Sequence, residues 1–256
     1  SLDSSRRCTC GHHYQGCKLY GPWLTQSKRD PHLIRNIENR DGLNDLLKGK
    51  TSDAENRSYR DYGRGLFGHL SRDPGVQVIV DSSKSARDAA GRPIALSRLA
   101  GLEVYVLHLT RSPQSTIWSY IRHGSNWVAE GHRRRQPLEN WRPIIGWTLA
   151  NRCALNLKDQ IGQDRYIHMS FEDFVSNPGK ALKQIGEFIG LDFSTVADEV
   201  TSGELIAPGH SVGGNRARLV PKSLKLRQKS DPELPLHYRI VSKLVCGKVA
   251  RKLGYD

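Results

Sequence analysis

Long apolar runs are missing from this chain of 256 residues. The longest, such as Val104 to Leu107, fall far short of the roughly 20 residues a membrane helix needs, so no segment reads as a bilayer span. Acidic residues are also few: 26 Asp and Glu stand against 39 Lys and Arg, a formal net charge of +13. That excess calls for a polyanionic partner, which charge alone leaves open among nucleic acid, a membrane surface and a phosphate- or sulfate-bearing small molecule. Aromatics make up 7% of the chain and methionine occurs once, at Met169. Cysteines number five, an odd count with Cys8, Cys10 and Cys17 clustered and Cys153 and Cys246 alone, which excludes a disulfide framework as the organising principle. The chain opens on Ser1 without a signal-peptide pattern, and a fragment of a longer protein is expected. What is present, a 37% hydrophobic fraction mixed with abundant charge, suffices for a sizeable core in one or at most two domains and rules out a collagenous, mucin-like or wholly disordered chain.

Texture divides the chain near residue 75. Residues 1–75 read as an irregular, Cys-containing segment of the same domain, with short helical pieces around Pro31 to Leu47 and Ser58 to Leu70. From Val76, the run Val76-Gln-Val-Ile-Val80 ends abruptly in Asp81-Ser-Ser-Lys84, the pattern of a buried strand entering a polar loop. A helix over about Ser85 to Ala100, interrupted near Pro93, is expected next. Val104 to Leu109 repeats the strand pattern and ends in Thr110-Arg-Ser-Pro113, where Ser112 can cap a helix that has Pro113 in its first turn. Two successive strand–loop–helix units predict a parallel sheet with crossover helices. Glu139 to Ile161 reads as a long helix and Arg165 to Met169 as a third strand. Asn177 and Pro178 start a helix that Gly190 stops, Gly203 to Leu236 reads as a basic loop, and Tyr238 to Leu253 as a terminal amphipathic helix.

In parallel sheets, the loops beyond the carboxyl ends of the strands are where ligands bind. Here they carry Lys84, Arg111 and Ser112. Arg111 and Ser119 are eight residues apart across the start of a helix, so a guanidinium fork, a hydroxyl and helix N-terminal N–H groups could converge on a monophosphate. An ordinary surface ion pair and a small helix residue are the alternative for that pair taken alone.

The pair is not alone. Val80-Asp-Ser-Ser-Lys84, Leu109-Thr-Arg-Ser-Pro113 with Ser119, Phe171-Glu-Asp-Phe174 with Asn177-Pro178, and His210-Ser-Val-Gly-Gly-Asn-Arg-Ala-Arg218 occur in the order found in sulfotransferases that use 3′-phosphoadenosine 5′-phosphosulfate, and over roughly residues 76 to 220 the chain resembles that family in its bacterial-type form. The resemblance implies an α/β fold with a P-loop-NTPase-like parallel sheet and flanking helices over 76–256. It implies sulfuryl transfer from 3′-phosphoadenosine 5′-phosphosulfate, as co-substrate, to a hydroxyl or amine of a carbohydrate or small-molecule acceptor. Position by position, Arg111 and Ser119 match the pair that holds the 3′-phosphate, and Lys84 matches the catalytic lysine near the transferring group. Phe171 matches the aromatic that packs on adenine, with a core Phe as the alternative. Gly214, Asn215 and Arg216 match the segment that closes over the nucleotide. Glu172 and Asp173 are read as fixing the strand-to-helix corner, and His108 as a buried structural residue.

One departure qualifies the match. The family's Gly-, Arg- and Ser/Thr-rich loop around the 5′-phosphosulfate has no counterpart between Ser1 and Val76, so the N-terminal strand, loop and helix are expected to be missing and an inactive fragment remains one reading. Cys8-Thr-Cys-Gly11 with Cys17 resembles a segment that follows that loop in some bacterial-type members. A local disulfide or surface thiols are expected there, and no metal site; zinc held with His12 or His13 is the weaker alternative, because the spacing is that of no common finger. Arg133-Arg-Arg135 reads as a solvated run or lid. A basic nucleic-acid-binding protein is the rival from another class, but recognisable nucleic-acid-binding motifs are lacking, and no nucleic-acid partner is expected. Another nucleotide-dependent phosphotransferase would need a Walker-type Gly-Lys-Ser/Thr loop, and none is identified. Location is expected to be cytoplasmic. The acceptor, the general base and the oligomeric state stay open.

Overall fold

The computed structural model describes residues 7–26, 30–82, 89–124, 134, 136, 138–203, 209–211 and 232–255. The chain divides into two compact units, residues 1–104 with 202–224 and residues 105–201 with 225–256, a division that differs from a boundary after residue 75.

In the first unit the stretch before residue 76 is mostly helical: α1 (Tyr20–Gln26), α2 (Pro31–Glu38), α3 (Arg40–Leu47) and α4 (Asp53–Leu70). Each of the last three carries its own start signal. The Asp30 carboxylate accepts the N–H groups of His32 and Leu33, Asn39 accepts that of Gly42, and Ser52 with Glu55 forms a reciprocal capping box, so N–H groups that a helix start leaves without partners are satisfied locally. Ile37 of α2 and Tyr59 of α4 pack with Ala95 and Leu96 of α5 (Arg92–Arg98) to form this unit's core.

Three expectations change here. Val76–Val80 enters no ladder among the described residues, and Val76, Val78 and Val80 are exposed, because an apolar β-branched run becomes a strand only where a neighbouring backbone accepts and donates its hydrogen bonds. Pro93 stands in the first turn of α5 and starts the helix instead of interrupting it, the position where its missing N–H costs nothing. The tripeptide Gly49-Lys50-Thr51 does occur, but it joins α3 to α4, helix to helix, and Asn44 stands where a Walker loop has its first glycine; no strand delivers it to a phosphate.

A buried ion pair ties this unit together. Arg92 donates to Glu38 and, through Nε, to Asp81 at 2.6 Å, while Tyr59 donates to Glu38 at 2.8 Å. Burial pushes the Glu38 carboxyl up, against the pull of Arg92. Asp81 is the first residue of Asp81-Ser-Ser-Lys84 in sequence, so Arg92 fixes the position of that first residue.

The second unit is built on two parallel strands, β1 (Val106–Thr110) and β2 (Tyr166–Ser170), in register from Val106 opposite Tyr166 to Thr110 opposite Ser170. Around them lie α6 (Pro113–His123), α7 (Arg142–Ile161), α8 (Phe171–Ser176), α9 (Pro178–Ile189), α10 (Ser194–Ser202) and α11 (Leu236–Lys252). Ser112 caps α6 by accepting the Ser115 N–H, Asn177 caps α9, and Gly190 ends α9 with φ 74°, a left-handed conformation that glycine adopts at low cost. Ile117 of α6, Ile144 and Trp147 of α7 and Cys246, Val249 and Ala250 of α11 form the core, each large side chain gaining about 1.5–3 kcal/mol from burial. α11 departs from simple amphipathicity: Leu236, Ile240 and Leu244, four residues apart, are exposed opposite its buried face.

β1 is inverted relative to a simple apolar-in pattern. His108 and Thr110 are buried, while Tyr105, Leu107 and Leu109 alternate onto the exposed side. His108 fits inside because both ring nitrogens are satisfied, Nδ1 by the Tyr166 hydroxyl at 2.6 Å and Nε2 by Asn151 Oδ1 at 2.8 Å. Since Asn151 Oδ1 only accepts, Nε2 carries the proton and Nδ1 accepts from Tyr166. Burial pushes the His108 pKa down from 6.5 to about 4.

Two outcomes are expected. Replacing Arg92 with Met leaves Glu38 buried without its partner and lowers unfolding free energy by about 3–5 kcal/mol; an unchanged denaturant midpoint would show that the pair holds nothing. His108 is neutral in the folded chain and readily protonated in the unfolded one, so its stabilisation is complete above pH 6.5 and is lost as pH falls toward 4, a drop of about 3 kcal/mol. Denaturant titrations at steps between pH 7 and pH 4 should show a shallower decline for His108→Gln than for the parent chain.

Candidate functional site

The polar turn after β1 is the most constrained part of the second unit. Thr110 ends the strand, Arg111 and Ser112 make the turn, and Pro113 begins α6. From α7, the Trp147 indole N–H donates to the Arg111 carbonyl at 2.9 Å, so a core residue fixes the backbone while the Arg111 side chain extends to the surface. Because Thr110 pairs with Ser170, the next residues along each strand, Arg111 and Phe171, come out side by side. The Arg111 guanidinium lies over the Phe171 ring, 5.5 Å from its centroid, an exposed cation–π contact worth about 0.5–1 kcal/mol.

Glu172 locks this junction. Its Oε1 accepts the Ser112 N–H at 2.9 Å and its Oε2 accepts the Tyr255 hydroxyl at 3.1 Å. Tyr255 is also 3.0 Å from the Thr110 hydroxyl, which is 2.9 Å from His168 Nε2. A carboxylate only accepts, so the protons run one way: His168 to Thr110, Thr110 to Tyr255, Tyr255 to Glu172. That direction requires a proton on His168 Nε2, and burial, which pushes the His168 pKa down against the opposing charge of Asp173, favours the neutral form. Burial likewise pushes the Tyr255 hydroxyl up, which keeps it a donor. Asp173 anchors the start of α8 through Ser170, its carboxylate accepting the hydroxyl at 2.6 Å and its N–H donating back at 2.9 Å. Glu172 and Asp173 therefore fix the corner, as the sequence indicated, and Glu172 reaches further than local pattern could show.

Among the sequence-derived positions, Arg111 and Phe171 are brought together. Ser119 lies on α6 seven residues after the cap Ser112 and is exposed, on the face that residues three, four and seven apart share. One part of the anion-site argument changes. The helix-start donors are partly spent, since the Ser112 N–H goes to Glu172 and the Ser115 N–H to Ser112 Oγ, which leaves the guanidinium and the Ser119 hydroxyl as the principal donors. Lys84, Gly214, Asn215 and Arg216 lie outside the described residues, as do Arg133 and Arg135.

A groove of about 870 Å³ runs beside the junction, lined by Ser112, His168, Glu172, Asp173, Lys180 and Lys252 among others. It shares Ser112 and Glu172 with the junction but not Arg111, Ser119 or Phe171. Two lysines face two carboxylates there, so its walls offer no net charge to an anion; the exposed guanidinium of Arg111 does.

Comparison with known proteins bears on this junction directly. Residues 103–195, which contain both strands, Arg111, Ser119 and Phe171, match the profile of the Sulfotransferase family. Among solved structures, the sulfotransferase domain from the curacin biosynthetic pathway is similar at a TM-score of 0.55 and 18% identity, covering 100% of this chain and 82% of that one. The sulfotransferase domain from the Synechococcus PCC 7002 olefin synthase is similar at 0.53 and 19% identity, covering 91% of this chain and 78% of that one. These likenesses show the α/β fold with its parallel sheet. No curated protein matches.

Glu172→Gln should lower stability by about 1–3 kcal/mol, because the amide puts a donor where two donors already point. Equal denaturant midpoints for the two chains would mean that the carboxylate does not hold the turn.

Proposed function

We propose that the chain transfers a sulfuryl group from 3′-phosphoadenosine 5′-phosphosulfate to a hydroxyl or amine of an acceptor, a reading supported by the match of residues 103–195 to the Sulfotransferase family and by the likeness of the fold to sulfotransferase domains. The observation that carries this reading is the pairing of Arg111 with Phe171 at the carboxyl ends of the in-register strands. A nucleotide with a 3′-phosphate needs a flat apolar surface for its base and a fixed cation for its phosphate within a few ångströms of each other, and two adjacent strand ends supply both. Ser119 adds a neutral donor. Arg216, with Gly214 and Asn215 allowing close backbone approach, is assigned to the same phosphate.

In the reaction the acceptor oxygen or nitrogen bonds to sulfur, the bond from sulfur to the bridging oxygen of the 5′-phosphate breaks, and adenosine 3′,5′-bisphosphate leaves. The acceptor proton goes to a base that no residue here is assigned to be. Lys84 is assigned to charge building on the bridging oxygen. The chain's main work is positioning, since transfer between oxygens requires little covalent help from the protein. The acceptor is placed among small molecules or carbohydrates. The similar domains come from a biosynthetic pathway and an olefin synthase, which favours a small molecule. Among the described residues no helix is long and apolar enough to cross a membrane; a cytoplasmic location is proposed on the five cysteines without a disulfide alone.

Calorimetric titration with adenosine 3′,5′-bisphosphate, with 5′-AMP as the control lacking the 3′-phosphate, tests the site. Binding should depend on that phosphate. Arg111→Ala should weaken it by about tenfold or more, as hydrogen bonds to a charged group contribute about 1.5–3 kcal/mol, and Ser119→Ala should weaken it less. Equal affinity of Arg111→Ala and the parent chain would sink the assignment.

A further inference from the structure

Three thiols and an imidazole converge in the first unit, far apart in sequence. The turn Cys8-Thr9-Cys10-Gly11 is closed by the Gly11 N–H donating to the Cys8 carbonyl at 2.9 Å, with Gly11 at φ 87°, where a side chain would be strained. Cys17 follows a short helical turn, Tyr14–Gly16. Against this turn lies the segment 209–211: the Thr9 N–H donates to the Ser211 carbonyl at 3.0 Å, the Thr9 hydroxyl to the Gly209 carbonyl at 2.5 Å, the Ser211 N–H to the Thr9 hydroxyl at 2.9 Å, and the Tyr20 hydroxyl to the His210 carbonyl at 3.1 Å. These bonds place His210 independently of its imidazole.

The ligand atoms of Cys8, Cys10, Cys17 and His210 all lie within 4.8 Å of one another. A tetrahedral zinc ion, with Zn–S near 2.3 Å and Zn–N near 2.0 Å, sets sulfur atoms about 3.8 Å apart and sulfur and nitrogen about 3.6 Å apart. Here Cys8 Sγ and Cys17 Sγ are 3.6 Å apart, and His210 Nδ1 lies 3.7 Å from Cys8 Sγ and 3.2 Å from Cys17 Sγ. Cys8 and Cys17 are buried, at 0% and 1% exposure, so neither is a surface thiol. A disulfide could engage only two of the three sulfurs and would leave the imidazole without a purpose. Three thiolates and an imidazole, with Cys8 and Cys17 buried and Cys10 and His210 more exposed, suit zinc and not calcium or magnesium.

We propose that Cys8, Cys10, Cys17 and His210 form a structural zinc site that fastens the N-terminal turn to the chain segment leading into residues 212–218. This departs from the expected disulfide or surface thiols, and in place of His12 or His13, named only in the weaker alternative, the fourth ligand is a residue 193 positions beyond Cys17. His210 lies six residues before Arg216 in sequence. A cross-link over so long a stretch also removes much of the unfolded chain's freedom.

The full chain, purified without chelator, is analysed for metal by plasma mass spectrometry and for thiols by intact mass under denaturing, non-reducing conditions. One zinc per chain with all cysteines reduced is the expected result, and replacement by cobalt(II) should give the intense visible absorption of a tetrahedral thiolate site. In competition with a chromophoric chelator, His210→Ala and Cys10→Ser, both at the more exposed ligands, should bind zinc more weakly by well over tenfold, the scale on which even supporting residues act. Metal-free protein after growth with added zinc, a Cys8–Cys17 disulfide, an iron–sulfur chromophore, or undiminished zinc affinity in His210→Ala would each overturn the proposal. None of these readouts depends on sulfuryl transfer, so the two readings stand or fall separately.

Discussion

The parallel pairing of β1 with β2 is the constraint on which the second unit's chemistry depends. Register alone decides that Thr110 and Ser170 finish opposite each other, so whatever follows them emerges about 4.8 Å apart, the spacing of neighbouring strands. A slip of one residue would turn every side chain to the other face. Arg111 would lose Phe171, and His108 would leave the polar pocket formed by Tyr166 and Asn151. That buried histidine works as a register pin: it accepts from one strand's tyrosine and donates to α7, and only one alignment satisfies both. The cost of burying a polar ring is offset by specificity of alignment, which an apolar residue at the same place would not supply.

Both units use one device, in which a buried or half-buried carboxylate receives donors from several directions and thereby fixes the start of a polar loop. In the first unit Glu38 and Asp81 share Arg92, and Asp81 is the first residue of Asp81-Ser-Ser-Lys84 in sequence. In the second, Glu172 takes the Ser112 N–H and the Tyr255 hydroxyl, and the turn carrying Arg111 is held. In the second unit this is preorganisation for the proposed function, since a guanidinium whose backbone is already fixed loses less freedom when it meets a phosphate.

What the sequence disclosed was local, and what it concealed was distant. Ser112 with Pro113, Asn177 with Pro178, and Gly190 announce helix ends through residues within one turn of the event, and all three stand where expected. The run Ser170 to Asp173 told of a corner for the same reason. Val76–Val80 misled because apolar β-branched texture reports a preference and says nothing of whether a neighbouring strand is present. Helical pieces around Pro31 to Leu47 and Ser58 to Leu70 were legible and became α2, α3 and α4, but weak periodicity hid the break at Asn39 and the earlier start of α4 at Asp53. The partners of Tyr255 and His210 could not have been foreseen, because Tyr255 meets Glu172 and Thr110 from 83 and 145 residues away and His210 meets Cys17 from 193 away, and only the fold brings such residues together. His12, the expected candidate beside the cysteines, instead directs Nδ1 to the Cys10 carbonyl at 3.2 Å.

The distribution of charge argues for a compact anion over a long one. A duplex spreads its phosphates along the helix axis, and a protein that binds one spreads its cations to match. In the described second unit the lysines of the groove are balanced by Glu172 and Asp173, and the cation beside an aromatic is the single residue Arg111. Much of the basic excess instead gathers in residues 212–231, which hold six Lys and Arg against one Asp. Such a concentration, joined in sequence to His210 and containing Arg216, is suited to a small polyanion that one segment can cover. Residues 212–231 carry +5 of the net charge of +13, enough to meet the several negative charges that the proposed donor presents within the span of a single nucleotide.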